Sequence, residues 1–272
     1  KAERFAFFLA GTALLLTLFV ELVYLLGDNG RQNFVFKFYL QAWFFFAIAS
    51  AYGLGRRFLE QGKWRLRTQN LFYATFGVMA LAVLLFPITA TLDKVSNRMD
   101  RSAPHTLDGM AYMQTSRYTY PCHRNFPEAE CQVVELDLGE DYRTIRWMQE
   151  QVAGSPVIIE GHGGLYSWTS RFSIYTGLPT VLGWDYHQMQ QRGIMADDAV
   201  GKRARDVELF YQTTDPVTTE ALIREYGVKY IVLGQYERAL YFAEGVEKFK
   251  AWDGLLWDAV YQDGQTTLYK VR

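Results

Sequence analysis

Only two cysteines and four histidines occur in 272 residues, and neither cysteine belongs to a CxxC pair, which argues against a structural zinc site. No GxSxG turn is present, so a hydrolase nucleophile has no candidate, and Ser167 lacks that context. No GxGxxG follows an apolar strand and there is no P-loop, which disfavours nucleotide binding through either motif. A basic excess is also lacking. The formal net charge is -1, and nucleic acid is not an expected partner. Internal repeats and low-complexity tracts are absent.

Charge is scarcest at the start. Residues 1–92 carry nine basic and four acidic side chains, whereas the remaining 180 carry 19 and 25. The averages of 50% hydrophobic and 21% charged therefore merge two chemically different halves. Phe5–Leu26 holds one charge, Glu21, and Phe38–Leu54 and Asn70–Ala90 hold none. About 20 apolar residues cross a bilayer core, so the pattern predicts transmembrane helices over about 5–26, 38–54 and 70–90, the second one short. A signal peptide would have a shorter apolar core and would not be followed by two more spans. The chain opens at Lys1, not Met, a few residues ahead of a full span; it is expected to be the C-terminal part of a larger polytopic protein.

The connection Arg56–Gln69 contains Arg56, Arg57, Lys63, Arg65 and Arg67 against one acid, Glu60. Short loops rich in Lys and Arg stay in the cytoplasm, which places residues 93–272 outside it. Cys122 and Cys131 lie in that second part, in a loop containing proline and glutamate. An oxidising compartment favours a disulfide between them, with two unpaired thiols as the alternative.

From Asp141 onward helices alternate with short apolar strands. Ile145, Met148 and Val152 have helical spacing, and Pro156–Glu160 reads as a buried strand. Leu178–Gly183 offers a second strand and Asp197–Gln212 a charged amphipathic helix. Asp215 and Pro216 open a helix that ends at Gly227. Lys229–Gly234 is the clearest strand, and Trp257–Gln262 with Thr266–Val271 forms a hairpin around Asp263-Gly264. The expected architecture is an α-helical transmembrane segment, then an α/β domain with a mainly parallel sheet and a C-terminal β-hairpin. Asp93–Glu140 is the least regular stretch.

Ligands of open parallel sheets bind beyond the carboxyl ends of the strands. The first strand ends in Glu160-Gly-His162-Gly-Gly, and the second in Gly183-Trp184-Asp185-Tyr186-His187, with Gln188, Gln191 and Arg192 close behind. Neighbouring strands would gather these groups at one rim. Trp184 would stack on a sugar ring, while Gln188 and Arg192 reach hydroxyls. The same rim could hold a divalent cation between Glu160, His162, Asp185 and His187, although no metal site is assigned. Polar residues at strand ends are also often just solvated. In the first part, Glu21 is an ionisable group inside a span, with Asp28, Arg31, Asn33, Lys37 and Gln41 nearby. Arg31 and Lys37 at the interface would either receive a lipid phosphate or snorkel to the headgroups.

ELVYLLGDNGRQNFVFKFYLQAW (Glu21–Trp43) resembles a loop-and-helix signature of the Chlor_Arch_YYY family of uncharacterised multi-spanning membrane proteins. So do TLDGMAYM (Thr106–Met113), YRTIRWMQEQV (Tyr142–Val152), GLPTVLGWDYHQMQQRG (Gly177–Gly193) and YGVKYIVLG (Tyr226–Gly234). The matches are collinear from Glu21 to the end. Gln32 and Phe34 depart from the family's RMNTVFKFY stretch, which keeps Arg31, Asn33 and Lys37. The family's layout is similar to GT-C glycosyltransferases. That similarity implies a polyprenyl-phosphate-linked sugar donor, a cell-envelope glycan or protein acceptor, and a catalytic acid upstream of this chain. Arg31 and Lys37 would then contact the carrier phosphate, and Trp184, His187 and Arg192 would face the acceptor. The alternative is a non-catalytic, membrane-anchored module that binds glycan or protein. A transporter is disfavoured, because Glu21 is the one ionisable group inside the spans.

Overall fold

Long apolar runs dictate helices in the first unit, because a bilayer core leaves backbone groups no partner but each other. The computed structural model describes residues 1–23, 31–59, 65–99, 102–120, 133–164, 166–192 and 198–272. The chain forms two compact units, Lys1–Arg98 and Met99–Arg272.

The first unit consists of α1 (Ala2–Leu22), α2 (Gln32–Leu59) and α3 (Leu66–Arg98), each long and apolar enough to cross a membrane. At 28 residues, α2 is not short. Its ends take in Lys37, Arg56 and Arg57, charged residues that an uncharged-run criterion leaves out although they sit comfortably at a membrane boundary. The third helix continues through Asp93–Arg98, so the first part of the stretch read as irregular is helical. Leu9, Ala13 and Val20 of α1 and Ala42 of α2 are buried. The Phe19 ring meets Phe34 and Phe38 at 5.8 and 5.5 Å. No residue of α3 is buried.

The second unit opens with a 3-10 turn at Ala111–Gln114, followed by an antiparallel ribbon of β1 (Arg117–Tyr120) and β2 (Val134–Asp137). Then follow α4 (Leu138–Gln151), β3 (Val157–Ile159), α5 (Arg171–Thr176), α6 (Asp185–Gln191), α7 (Ala199–Gln212) and α8 (Pro216–Tyr226). The chain closes with β4 (Val228–Leu233), α9 (Gln235–Leu240), α10 (Ala243–Ala251), β5 (Trp257–Asp263) and β6 (Thr266–Val271). Local signals explain the clearest of these. Asp215 accepts from the amides of Val217 and Thr218, Pro216 fills the first position of α8, and Gly227 ends it at φ +62°.

The four-stranded sheet has the order β3-β4-β6-β5. The β3/β4 pair is parallel; β4/β6 and β5/β6 are antiparallel. The sheet is therefore mixed. The segment Leu178–Gly183 contributes only one bridge, Ile158 to Thr180, parallel to β3. Pro179 has no amide hydrogen; its carbonyl accepts from Ile158 at 2.8 Å, and the pairing stops after Val181 donates back to Ile158. Alternation along the strands feeds two cores. Ile158, Val232 and Leu268 pack with Phe172, Ile145 and Met148. Ile159, Ile231 and Leu233 pack with Tyr211, Phe249 and Trp257. Helix α10 approaches α7 so closely at Gly245 that a Cβ there would lie 2.3 Å from the Tyr211 carbonyl oxygen.

Candidate functional site

The chain leaves β3, reaches Thr180 on one side of it, and later returns to β4 on the other. The direction of winding thus reverses beyond the carboxyl ends of β3 and β4, where open sheets carry their ligands. Here that crevice is filled from within. Glu237, fully buried, accepts from the amides of Gly161 and Gly234, each at 2.9 Å. It also accepts two guanidinium bonds from Arg171 at 2.9 and 2.8 Å. Arg171, itself 1% exposed, reaches Asp141 through Nε at 2.6 Å, and Trp168 donates its indole hydrogen to the same carboxylate. Added Cβ atoms at Gly161 and Gly234 would fall 2.9 Å from Glu237 and 2.8 Å from Arg171, so both glycines serve this close approach.

Glu160 belongs to this interior and not to the rim. It is 1% exposed, and its two oxygens accept from the amides of Phe172 and Ser173 at 3.0 and 2.9 Å, seating the start of α5. Burial pushes its carboxyl up to about 7, against the Arg171 charge and the two amides. Burial also raises Asp141. For Glu237 burial acts in the same direction, but Arg171 and the Gly161 and Gly234 amides outweigh it and hold the carboxyl below its ordinary value. The shared guanidinium thus outweighs burial at Glu237 but not at Asp141 or Glu160. The folded protein binds the Glu160 proton more tightly than the unfolded chain does. Its contribution to stability is therefore complete below the ordinary 4.5 and is lost as pH rises from there to about 7. That interval corresponds to about 3 kcal/mol. Urea unfolding between pH 4.5 and 7.5 should show wild-type stability falling relative to Glu160→Gln. Parallel pH profiles for the two proteins would refute the assignment.

At the rim the structure does bring the two strand ends together. His162 Nε2 lies 3.3 Å from Asp185 Oδ2, both side chains about one-quarter exposed or less. The Tyr241 hydroxyl fixes the His162 backbone, accepting from its amide at 3.0 Å. Trp184 packs edge-on against Tyr166, with ring centroids 5.4 Å apart. Tyr166 is 60% exposed and held at φ +52°, a conformation disfavoured for a large side chain. His187 is exposed on α6, next to Gln188, and Arg192, one turn beyond Gln188 at the end of the helix, donates to the Gln188 side-chain oxygen. Among the described residues no group of three His, Cys, Asp or Glu side chains is placed to hold a metal ion. With Glu160 committed to two amides, the four-residue cation set of Glu160, His162, Asp185 and His187 does not assemble.

In the first unit Arg31 forms a two-point ion pair with Glu21, at 2.7 and 2.8 Å, and the Tyr39 hydroxyl donates to the same carboxylate at 3.1 Å. Its charge is thus already balanced. Asn33 and Lys37 are exposed in the first turns of α2. Cys122 and Cys131 lie outside the described residues.

Asp141, Arg171, Glu237 and Tyr166 are the residues that sequence reasoning missed. Glu237 had one local signal, its position three residues after Gly234 at the start of a helix. The others had none, because their partners lie far away along the chain.

Residues 1–46 match the family of uncharacterized membrane proteins DUF2298. The chain is thus a membrane protein by both its apolar helices and this match. Among curated proteins none matches. Among solved structures, the C-terminal globular domain of oligosaccharyltransferase from Archaeoglobus fulgidus is similar at 12% identity and a TM-score of 0.32, covering 48% of this chain and 95% of that one.

Proposed function

We propose that this chain is the C-terminal region of a GT-C-type membrane glycosyltransferase that takes sugar from a polyprenyl-phosphate carrier, with residues 93–272 outside the cytoplasm and the Met99–Arg272 unit as its acceptor-recognition domain. The observation that carries the reading is the rim itself: the exposed Tyr166 ring against half-buried Trp184, beside the His162–Asp185 pair, at the carboxyl end of parallel strands. Aromatic faces with adjacent hydrogen-bonding groups suit a sugar ring. The resemblance to the Chlor_Arch_YYY family and the basic Arg56–Gln69 connection support the layout and the orientation. Lys37, exposed and cationic, is the better candidate for a carrier phosphate than Arg31, which Glu21 already neutralises.

In the full-length protein, Trp184→Ala should lower sugar transfer at least about tenfold, the loss expected when an aromatic anchor worth about 1.4 kcal/mol or more is truncated. Lys37→Ala should lower transfer with expression intact. Transfer at the wild-type rate in Trp184→Ala, with an unchanged far-ultraviolet circular dichroism spectrum, would remove the rim from acceptor recognition.

A second reading, a non-catalytic glycan- or protein-binding module, draws on the burial of Asp141, Glu160 and Glu237. These carboxylates are committed to internal partners, so the domain's task under that reading is recognition alone. Glycan binding without any transfer activity in the full-length protein would decide for it.

A further inference from the structure

Several arginines of the second unit meet a carboxylate: Arg143 pairs with Asp263, Arg146 with Asp108, Arg171 with Asp141 and Glu237, and Arg272 with Asp258. Arg192 and Arg203 are different. Among the described residues neither has a carboxylate within ion-pair distance, and both line one cavity of about 480 Å3. Ser173, Thr180, Gly183 and Gln188 contribute to the same wall, and among the described residues no acidic side chain does.

Among the described residues both cations are held by neutral partners. Arg203 donates one hydrogen to the Val181 carbonyl at 2.8 Å and lies over the Tyr226 ring at 5.2 Å. Arg192 donates to the amide oxygen of Gln188. A guanidinium carries five donors in a fixed fork, so most of each remains for a ligand. Thr180 adds an orphan: its hydroxyl is screened from solvent and has no partner. Such a group costs free energy unless a ligand satisfies it. The volume is in the range of small-molecule sites, and Gly183 in its wall is the residue before Trp184.

We propose that this cavity binds an anionic monosaccharide, its carboxylate or phosphate held by Arg192 and Arg203 and its hydroxyls by Gln188 and Thr180. The inference rests on the reading of the rim as a glycan-recognition site and adds the class of sugar.

The test is calorimetric titration of the full chain in detergent with glucuronate, glucose 1-phosphate, glucose and inorganic phosphate. At least one anionic sugar should bind at least tenfold more tightly than glucose, and the stronger of the two identifies the acid group. Arg192→Gln and Arg203→Gln should each weaken that binding at least fivefold. Thr180→Val should raise the melting temperature of the unliganded protein while weakening the anionic sugar, a combination that a purely structural threonine would not produce. Glucose binding as tightly as both anionic sugars would overturn the assignment and leave the rim reading standing. Binding of none of the sugars, phosphate binding as tightly as the preferred sugar, or unchanged affinity in both arginine variants would each overturn it. Failure of the rim reading shows separately, as unaltered sugar transfer in Trp184→Ala.

Discussion

Arg171→Met should remove about a third or more of the stability of the Met99–Arg272 unit at neutral pH. Arg171 is fully enclosed and serves two buried carboxylates at once, Asp141 and Glu237. Deleting one partner of a buried ion pair costs about 3–5 kcal/mol, and a domain of this kind has about 5–15 kcal/mol in total. With two carboxylates stranded, the upper end applies, and the melting temperature should fall by about 10–20 °C. The pH dependence identifies the cause. Without the guanidinium, Asp141 and Glu237 bind protons more tightly folded than unfolded, so the variant regains stability as pH falls toward the ordinary carboxylate values. In the wild type Glu237 is held low, so its contribution stays intact down to the ordinary carboxylate value of 4.5 and is lost only below it. The gap between the two proteins should therefore narrow from pH 7.5 to pH 4.5 in thermal unfolding followed by near-ultraviolet circular dichroism. A gap of equal size at both pH values would assign the loss to packing, since Arg171 also lies 4.9 Å from the Phe172 ring centre and 5.4 Å from that of Tyr236.

What the sequence made legible is what local chemistry determines. Asp215, Pro216 and Gly227 act within a few residues of themselves, and the helix they delimit is where they place it. The apolar run before Gly234 forms β4, and Asp263-Gly264 turns the terminal hairpin. The strand-end rule likewise brought His162 and Asp185 into view, and they lie 3.3 Å apart. Elements held by tertiary contact were not legible. Helices α5 and α9 have six residues each, too short to announce themselves by periodicity. Glu160 was visible at a strand end, but its commitment to Phe172 and Ser173 was not. Arg171 stands in a polar-looking Thr-Ser-Arg stretch and is buried only because partners 30 residues before it and 66 after it converge there. An ion pair of that span leaves no mark on local pattern.

That convergence also explains why the crevice between β3 and β4 holds no ligand motif. In related architectures backbone amides at this place receive an anion; here the amides of Gly161 and Gly234 receive the Glu237 carboxylate, and Arg171 supplies the cation. Glu237 is in effect a tethered anion occupying the fold's own binding crevice. Glu237→Ala should therefore cost about 3–5 kcal/mol, because it leaves two buried amides and one side of a buried guanidinium unpaired. Unlike an ordinary truncation, it should respond to small carboxylates. Formate can enter the vacated volume and accept from the same donors, and at ten times its Kd it would return about 1.4 kcal/mol. The melting temperature of Glu237→Ala should rise with sodium formate more than with sodium chloride at equal ionic strength, whereas the wild type, its crevice filled, should not distinguish the two salts. Equal responses to both salts in the variant would mean that the donors at Gly161, Gly234 and Arg171 do not form an anion site. The same seating of Glu237 at the switch point is why the recognition surface we propose lies farther out, at the rim of His162, Tyr166, Trp184 and Asp185 and the cavity beside Arg192 and Arg203.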